Sequence, residues 1–217
     1  MSKKYRIGYI DEEPKEVEDF QSYFDAYESE IEVIPINPND KDIEDIVDEV
    51  LVNKCDVIVI DFYLKYADSH VKVNGDELLL RIKERQLNLP LLIFTSRREE
   101  ANNGFLSIDT LICDKSEIND PENPAFKNKI VKHIEFYLEL KKKYKLEFSD
   151  LRFRQSQGEK LTGREKKRVI ELNNLIEEMG DRQLLVTPIE NQDEELEEIN
   201  TLIDKTEKLI QKLENED

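Results

Sequence analysis

The chain has 217 residues, 38% of them apolar, and a formal net charge of −18. That length allows one domain with an appendage or two small domains, and the longest apolar runs, Val57 to Ile60 and Leu89 to Phe94, are strand-sized and too short for a bilayer span. The charge is uneven: residues 1–121 hold 14 Lys/Arg against 28 Asp/Glu, residues 127–168 hold 14 against 6, and residues 169–217 hold 4 against 15, so nucleic acid is disfavoured as a partner outside the basic middle stretch.

Met1 to Arg6 leads straight into a strand-like segment with no apolar signal-peptide core. Cys55 and Cys113 each sit in an apolar run and read as reduced, buried thiols rather than a disulfide or metal pair. Both features carry the expectation of a cytoplasmic protein.

In chain order, Tyr5–Ile10 reads as a strand, and Pro14 suits the first turn of a helix whose buried face is Val17, Phe20, Phe24 and Tyr27. Glu32–Ile36 is a second strand, placed at an edge by Pro35. Ile43, Ile46, Val47, Val50 and Leu51 mark a helix; Asp56–Ile60, β-branched after its first residue, reads as a strand covered on both faces. Leu78, Leu79 and Ile82 line a helix ending near Asn88-Leu89-Pro90. Two more strands, Leu91–Thr95 and Thr110–Cys113, flank a short polar helix over Arg97–Leu106. Alternation of this kind predicts a doubly wound α/β domain over residues 1–121, with five parallel strands.

After Pro121 and Pro124 the pattern becomes helical over residues 122–217. Ile130, Ile134, Tyr137, Lys141, Tyr144, Phe148 and Leu151 alternate at four- and three-residue steps, as do Val169, Leu172, Ile176 and Met179, and as do Leu196, Ile199, Ile203, Thr206, Ile210 and Leu213. That is the rhythm of a coiled coil or a helical hairpin. Thr162 and Glu165 form a capping box, and Gly180 can end the middle helix. Leu161-Thr162-Gly163-Arg164-Glu165 is superficially similar to the opening of a LuxR-type DNA-binding domain, but no basic recognition helix follows, and the capping box explains it. The basic residues of 127–168 read as a solvated or internally paired face, along which the acidic last helix could lie.

Ligands in a doubly wound sheet collect beyond the carboxyl ends of the strands. Asp11, Glu12 and Glu13 follow the first strand, Asp61 closes the third, Thr95 and Ser96 close the fourth, and Lys115 follows the fifth. Asp11, Glu12 and Asp61 together would repel one another unless a cation sat among them, and hard oxygen ligands describe a Mg²⁺ site. Asp61 would then be a nucleophile toward phosphorus, with Mg²⁺, Lys115 and the Thr95 hydroxyl neutralising the phosphoryl oxygens.

These residues resemble those of the response-regulator receiver family, over about residues 4–121. The acidic pair and proline after the first strand appear as Ile10-Asp11-Glu12-Glu13-Pro14, and the phosphoacceptor segment as Ile60-Asp61-Phe62-Tyr63-Leu64-Lys65. Gly75-Asp76-Glu77-Leu78 matches the opening of the third helix, Thr95-Ser96 the end of strand four, and Lys115 the lysine after strand five. The resemblance implies the flavodoxin-like receiver fold, with a fifth helix running on past residue 121 into the helical region. It also implies Asp61 as phosphoacceptor, Thr95 and Lys115 as phosphoryl contacts, and Mg²⁺ held by Glu12, Asp61 and the Tyr63 backbone carbonyl, with Asp11 acting through water.

Departures stand beside it. Lys65 and Ser116 replace prolines, Ile112 stands where many members carry a switching aromatic, and Tyr66 to Asn74 is long. Ser96, Tyr63 and Arg97 are candidates for modulating the site. The function expected is that of a two-component regulator, not an enzyme in its own right. Asp61 would take its phosphoryl group from a histidine kinase or phosphotransfer protein and gate protein contacts or self-association through the C-terminal helices. The alternatives are a pseudo-receiver that binds partners constitutively, with Lys115 and Asp61 as a plain salt bridge, and a nucleic-acid-binding regulator.

Overall fold

The computed structural model describes residues 5–27, 30–65, 70–86, 88–102 and 111–180. Five strands, β1 (Tyr5–Ile10), β2 (Ile31–Ile36), β3 (Val57–Asp61), β4 (Leu91–Thr95) and β5 (Leu111–Asp114), pair in parallel in the order β2-β1-β3-β4-β5. This order is one of the two common doubly wound arrangements, and it is the receiver fold. Pro35 lies in β2, an edge strand, where a missing N–H costs no ladder bond.

The sheet is covered on both faces, and the alternation along β3 shows how. Val57 and Val59 join Phe20, Tyr23 and Phe24 of α1 (Pro14–Asp25) and Phe126, Ile130 and Ile134 of α5 (Ala125–Ser156). Ile58 and Ile60 face the other way, into Ile46, Val47 and Val50 of α2 (Ile43–Asn53) and Leu78, Leu79 and Ile82 of α3 (Gly75–Arg85). Successive side chains on opposite faces are what a strand buried on both sides requires. On the first face the rings interlock, Tyr9 stacked on Phe20 at 4.0 Å and Phe94 on Phe126 at 4.9 Å between centroids. Cys55 and Cys113 are both buried free thiols in the two different clusters, with the sheet between them.

Boundaries differ from the sequence expectation in a few places. β3 begins at Val57 rather than Asp56, and Asp61 closes it as expected. β5 runs one residue further, to Asp114. The polar helix α4 spans Arg98–Asn102, and the remainder of its expected length lies outside the described residues.

Between β5 and α5 the chain makes a 3₁₀ turn over Lys115–Ile118, then passes Pro121 and Pro124 before the helix begins at Ala125. The fifth helix therefore starts beyond residue 121 instead of running across it. The cause is local: Asp114 and Glu117 form a capping box that closes a tight turn on Lys115, and proline cannot sit inside a continuing helix.

Over its 32 residues α5 keeps one apolar stripe but serves two partners. Phe126, Ile130 and Ile134 pack on the sheet, whereas Phe148 and Leu151 pack with Leu161 and with Val169, Leu172 and Ile176 of α6 (Gly163–Glu178). The Thr162–Glu165 capping box starts α6: the Thr162 hydroxyl accepts from the Glu165 amide, and the Glu165 carboxylate accepts from the Thr162 amide at 2.8 Å. Gly180, at φ +75°, ends it, and the Met179 carbonyl accepts from the Tyr137 hydroxyl at 3.2 Å and the Lys141 ammonium at 3.0 Å. The described residues lie within one compact unit. The expected last helix, Leu196 to Leu213, lies outside the described residues. No described helix is long and apolar enough to cross a membrane.

Candidate functional site

The strand order reverses between β1 and β3, and the polar residues converge at that switch point, at the carboxyl ends of the strands. Asp11 is buried directly after β1. One of its carboxylate oxygens accepts from the Tyr9 hydroxyl at 2.6 Å and lies 2.9 Å from the Lys115 ammonium; the other accepts from the Glu13 amide at 2.9 Å. Tyr9 is wholly buried, and its phenol is pushed far above its ordinary pKa by burial and then by the Asp11 charge, so it stays a donor.

Asp61 ends β3 with its side chain 5% exposed, 3.4 Å from Lys115. Its second oxygen accepts from the Tyr63 amide at 3.2 Å. The position depends on Gly75 at the start of α3, whose amide donates to the Phe62 carbonyl at 3.1 Å. A β-carbon at Gly75 would stand 2.0 Å from the Asp61 carbonyl oxygen. The helix can approach the strand end only because that position has no side chain.

Lys115 comes from the opposite side, set by the capped turn after β5. Its ammonium meets three carboxylates: Asp11 at 2.9 Å, Glu16 at 3.2 Å and Asp61 at 3.4 Å. Burial alone would lower its pKa, but the Asp61 and Asp11 charges overcome that and raise it. The balance is different for the acids. Burial raises Asp61 to about 6, against the pull of Lys115, and raises Glu12 to about 7.

Among the described residues, Glu12 finds no hydrogen-bond partner for its carboxylate. Both its carboxylate oxygens are shielded from solvent and accept no hydrogen bond. Ligand atoms of Asp11, Glu12 and Asp61 lie within 4.8 Å of one another. A shielded acid with two unsatisfied oxygens next to two more carboxylates is a donor set that a small hard cation fits.

Thr95, 1% exposed, ends β4, and its hydroxyl accepts from the Arg97 amide at 3.2 Å. That bond leaves the hydroxyl proton available. Ser96 is exposed and, with Glu12, Asp61 and Lys115, lines a cleft of about 650 Å³ that also takes in Glu13, Glu16 and Asp19. Tyr63 and Arg97 sit beside the site as a pair: the guanidinium lies 5.0 Å from the Tyr63 ring centroid, and both side chains reach Glu100, Tyr63 through its hydroxyl and Arg97 at 3.7 Å. Ile112 is buried in the cluster that contains Ala101 of α4.

Sequence reasoning named Asp11, Glu12, Asp61 and Lys115, which lie together, Ser96, which lines the same cleft, and Thr95, which ends β4. It missed Tyr9, Glu16 and Glu100. For Tyr9 a signal existed, since a tyrosine in a strand covered on both faces needs a partner for its hydroxyl. Glu16 looked like an ordinary acid in a helix's first turn.

No protein-family description matches the chain, and no curated protein does. Among solved structures, it is similar to an anti-anti-sigma factor, PhyR, from Bartonella quintana, at 18% identity, covering 66% of this chain and 52% of that one, with a TM-score of 0.47. It is also similar to a response regulator receiver protein from Sinorhizobium medicae at 17% identity (64% and 98% covered, TM-score 0.40). A third is the non-phosphorylated receiver domain of the stress response regulator RcsB from Escherichia coli, at 15% identity (55% and 86% covered, TM-score 0.44). The match spans about half the length of the PhyR chain.

Proposed function

We propose that this chain is a response regulator whose Asp61 accepts a phosphoryl group from a histidine kinase or phosphotransfer protein in the cytoplasm. The observation that carries the reading is the Lys115 ammonium held between Asp11 and Asp61 at a cleft where Glu12 keeps two unsatisfied carboxylate oxygens. An Asp61 oxygen would attack the phosphorus of a phosphohistidine as the phosphorus–nitrogen bond breaks. The electron pair would return to the imidazole, which takes up a proton from solvent.

Glu12, Asp61 and the Tyr63 carbonyl, with Asp11 through water, would hold Mg²⁺, whose charge offsets that of the phosphoryl oxygens. Lys115 would turn its ammonium to one such oxygen and Thr95 would donate its hydroxyl proton to another. That new Thr95 bond would draw on the chain leading to Arg97, and so on the Tyr63–Arg97–Glu100 brace. Ser96, Tyr63 and Arg97 would govern how fast water reaches the acyl phosphate. The chain would act as a stoichiometric acceptor rather than a turnover enzyme, and α5, rooted in the sheet and paired with α6, would pass the change to a protein partner or a second copy.

Intact mass after incubation with acetyl phosphate and Mg²⁺ tests this. One added phosphoryl group is expected in the wild type and none in Asp61→Asn; no addition to either, or addition to both, overturns the reading. One observation favours a second reading. The Lys115 ion pairs are already complete without phosphate, as a constitutive pseudo-receiver would need, and the same experiment separates the two.

A further inference from the structure

An ammonium group has three N–H donors, and Lys115 finds three carboxylates: Asp11, Asp61 and Glu16. Asp11 is also fixed by the Tyr9 hydroxyl and the Glu13 amide, and Asp61 by the strand end and the Tyr63 amide. Glu16 differs from both. It stands on the first turn of α1, its side chain is 32% exposed against 1% for Asp11 and 5% for Asp61, and it lines the cleft itself.

The chemistry at Asp61 does not require this third carboxylate. Asp11 alone would hold Lys115 over the site. Glu16 instead adds a negative charge beside Lys115 in the lining of the cleft that an incoming tetrahedral anion would have to enter.

We propose that Glu16 is a positioning residue that restrains the Lys115 ammonium and disfavours anions in the cleft, so that its charge sets how readily the site accepts a phosphoryl group. The inference rests on the reading of Asp61 as phosphoacceptor. A phosphoryl group or its mimic must share Lys115 with Glu16 or displace it, and either course works against a full negative charge at contact distance. Glu16→Gln keeps the side chain's shape and removes the charge.

The test is titration of the intact chain with beryllofluoride, a phosphoryl mimic, in the presence of Mg²⁺, comparing wild type, Glu16→Gln, Asp19→Asn and Asp61→Asn. Asp19 also lines the cleft but does not pair with Lys115, so it reports the general field alone. Binding to Glu16→Gln should be about tenfold tighter than to wild type, as expected for one unit charge acting over a few ångströms at a partly exposed site. Asp19→Asn should gain clearly less. The side-chain nitrogen resonance of Lys115, followed by NMR without ligand, should move in Glu16→Gln and stay in place in Asp19→Asn.

Unchanged or weaker binding in Glu16→Gln, or an equal gain in both variants, overturns the inference while leaving Asp61 as acceptor intact. Absence of Asp61-dependent binding in wild type and Glu16→Gln alike overturns the acceptor reading and this inference with it.

Discussion

The strand-end cleft and the α5–α6 hairpin use the same kinds of charged residue to opposite effect. At the cleft, the buried Asp11 and Asp61 converge on the half-buried Lys115, and among the described residues Glu12 is left without a hydrogen-bond partner. Along the hairpin, Arg154 meets Glu159 and Glu165, and Arg168 meets Glu147 and Glu171, all at or near the surface. Glu147 and Glu159 are held low by their arginine hydrogen bonds, and Glu165 at about 2 through its hydrogen bonds to Thr162 and then Arg154, whereas burial pushes Asp61 and Glu12 up. Satisfied surface pairs add little energy and ask for nothing further. Buried acids with raised pKa values hold the fold at a cost and leave chemistry undone.

The largest effect that would sharpen this contrast is at Gly75. Gly75→Ala must displace backbone at the Asp61 strand end, and about 1–3 kcal/mol of stability should be lost, read as a lower denaturant midpoint. Phosphoryl incorporation should fall with it. An equally stable Gly75→Ala protein would show that the strand end gives way easily.

A pH series comes next in size. Folding raises the pKa of Asp61 to about 6 from its ordinary 3.8, and that of Glu12 to about 7 from 4.5. A group raised in this way stabilises the fold fully below its unfolded value, and that contribution is lost as pH rises through the folded value. Without metal, stability should therefore fall between about pH 4 and pH 7, by an amount on the order of 1–3 kcal/mol for a buried group such as Asp61. Asp61→Asn should flatten the fall, and Mg²⁺ should bind more weakly as pH drops through the same window. Denaturant midpoints across pH, with and without Mg²⁺, give the result. A flat profile in the wild type would mean that the carboxylates are not strained. Glu165 works the other way: its contribution is present above its ordinary value and is lost as pH falls toward 2.

The smallest effect belongs to the hairpin. Arg168→Ala removes the pairs with Glu147 and Glu171 and should cost less than about 1 kcal/mol, with phosphoryl incorporation unchanged. A larger loss by chemical denaturation would show that the hairpin's charges carry more of the fold than their exposure suggests.

Much of the fold was legible because the strands are nearly unbroken apolar runs and the breaks between them carry Pro, Gly, Asn or Asp. Once a strand was read over Asp56 to Ile60, an aspartate closing so apolar a run pointed to a function, and Lys115 and Thr95 followed from the same rule of strand ends. Glu16 and Glu100 were not legible, since an exposed acid on a helix has many roles and only the folded chain shows which cation it meets. Periodicity found the α5 stripe but could not say that Ile134 belongs to the sheet and Phe148 to α6, because a heptad rhythm is silent about what it packs against. Nor could it place the start of α5, which is decided by the Asp114–Glu117 capping box and the two prolines.

The most direct measurement is chemical trapping of the acceptor itself. The chain, treated with acetyl phosphate and Mg²⁺, is reduced with borohydride, which converts an aspartyl phosphate to homoserine, and the peptides are mapped by mass. Homoserine at position 61, absent in Lys115→Ala or strongly diminished there, is the expected result. Conversion at another acid, or at none while the wild type still gains a phosphoryl group, would contradict it.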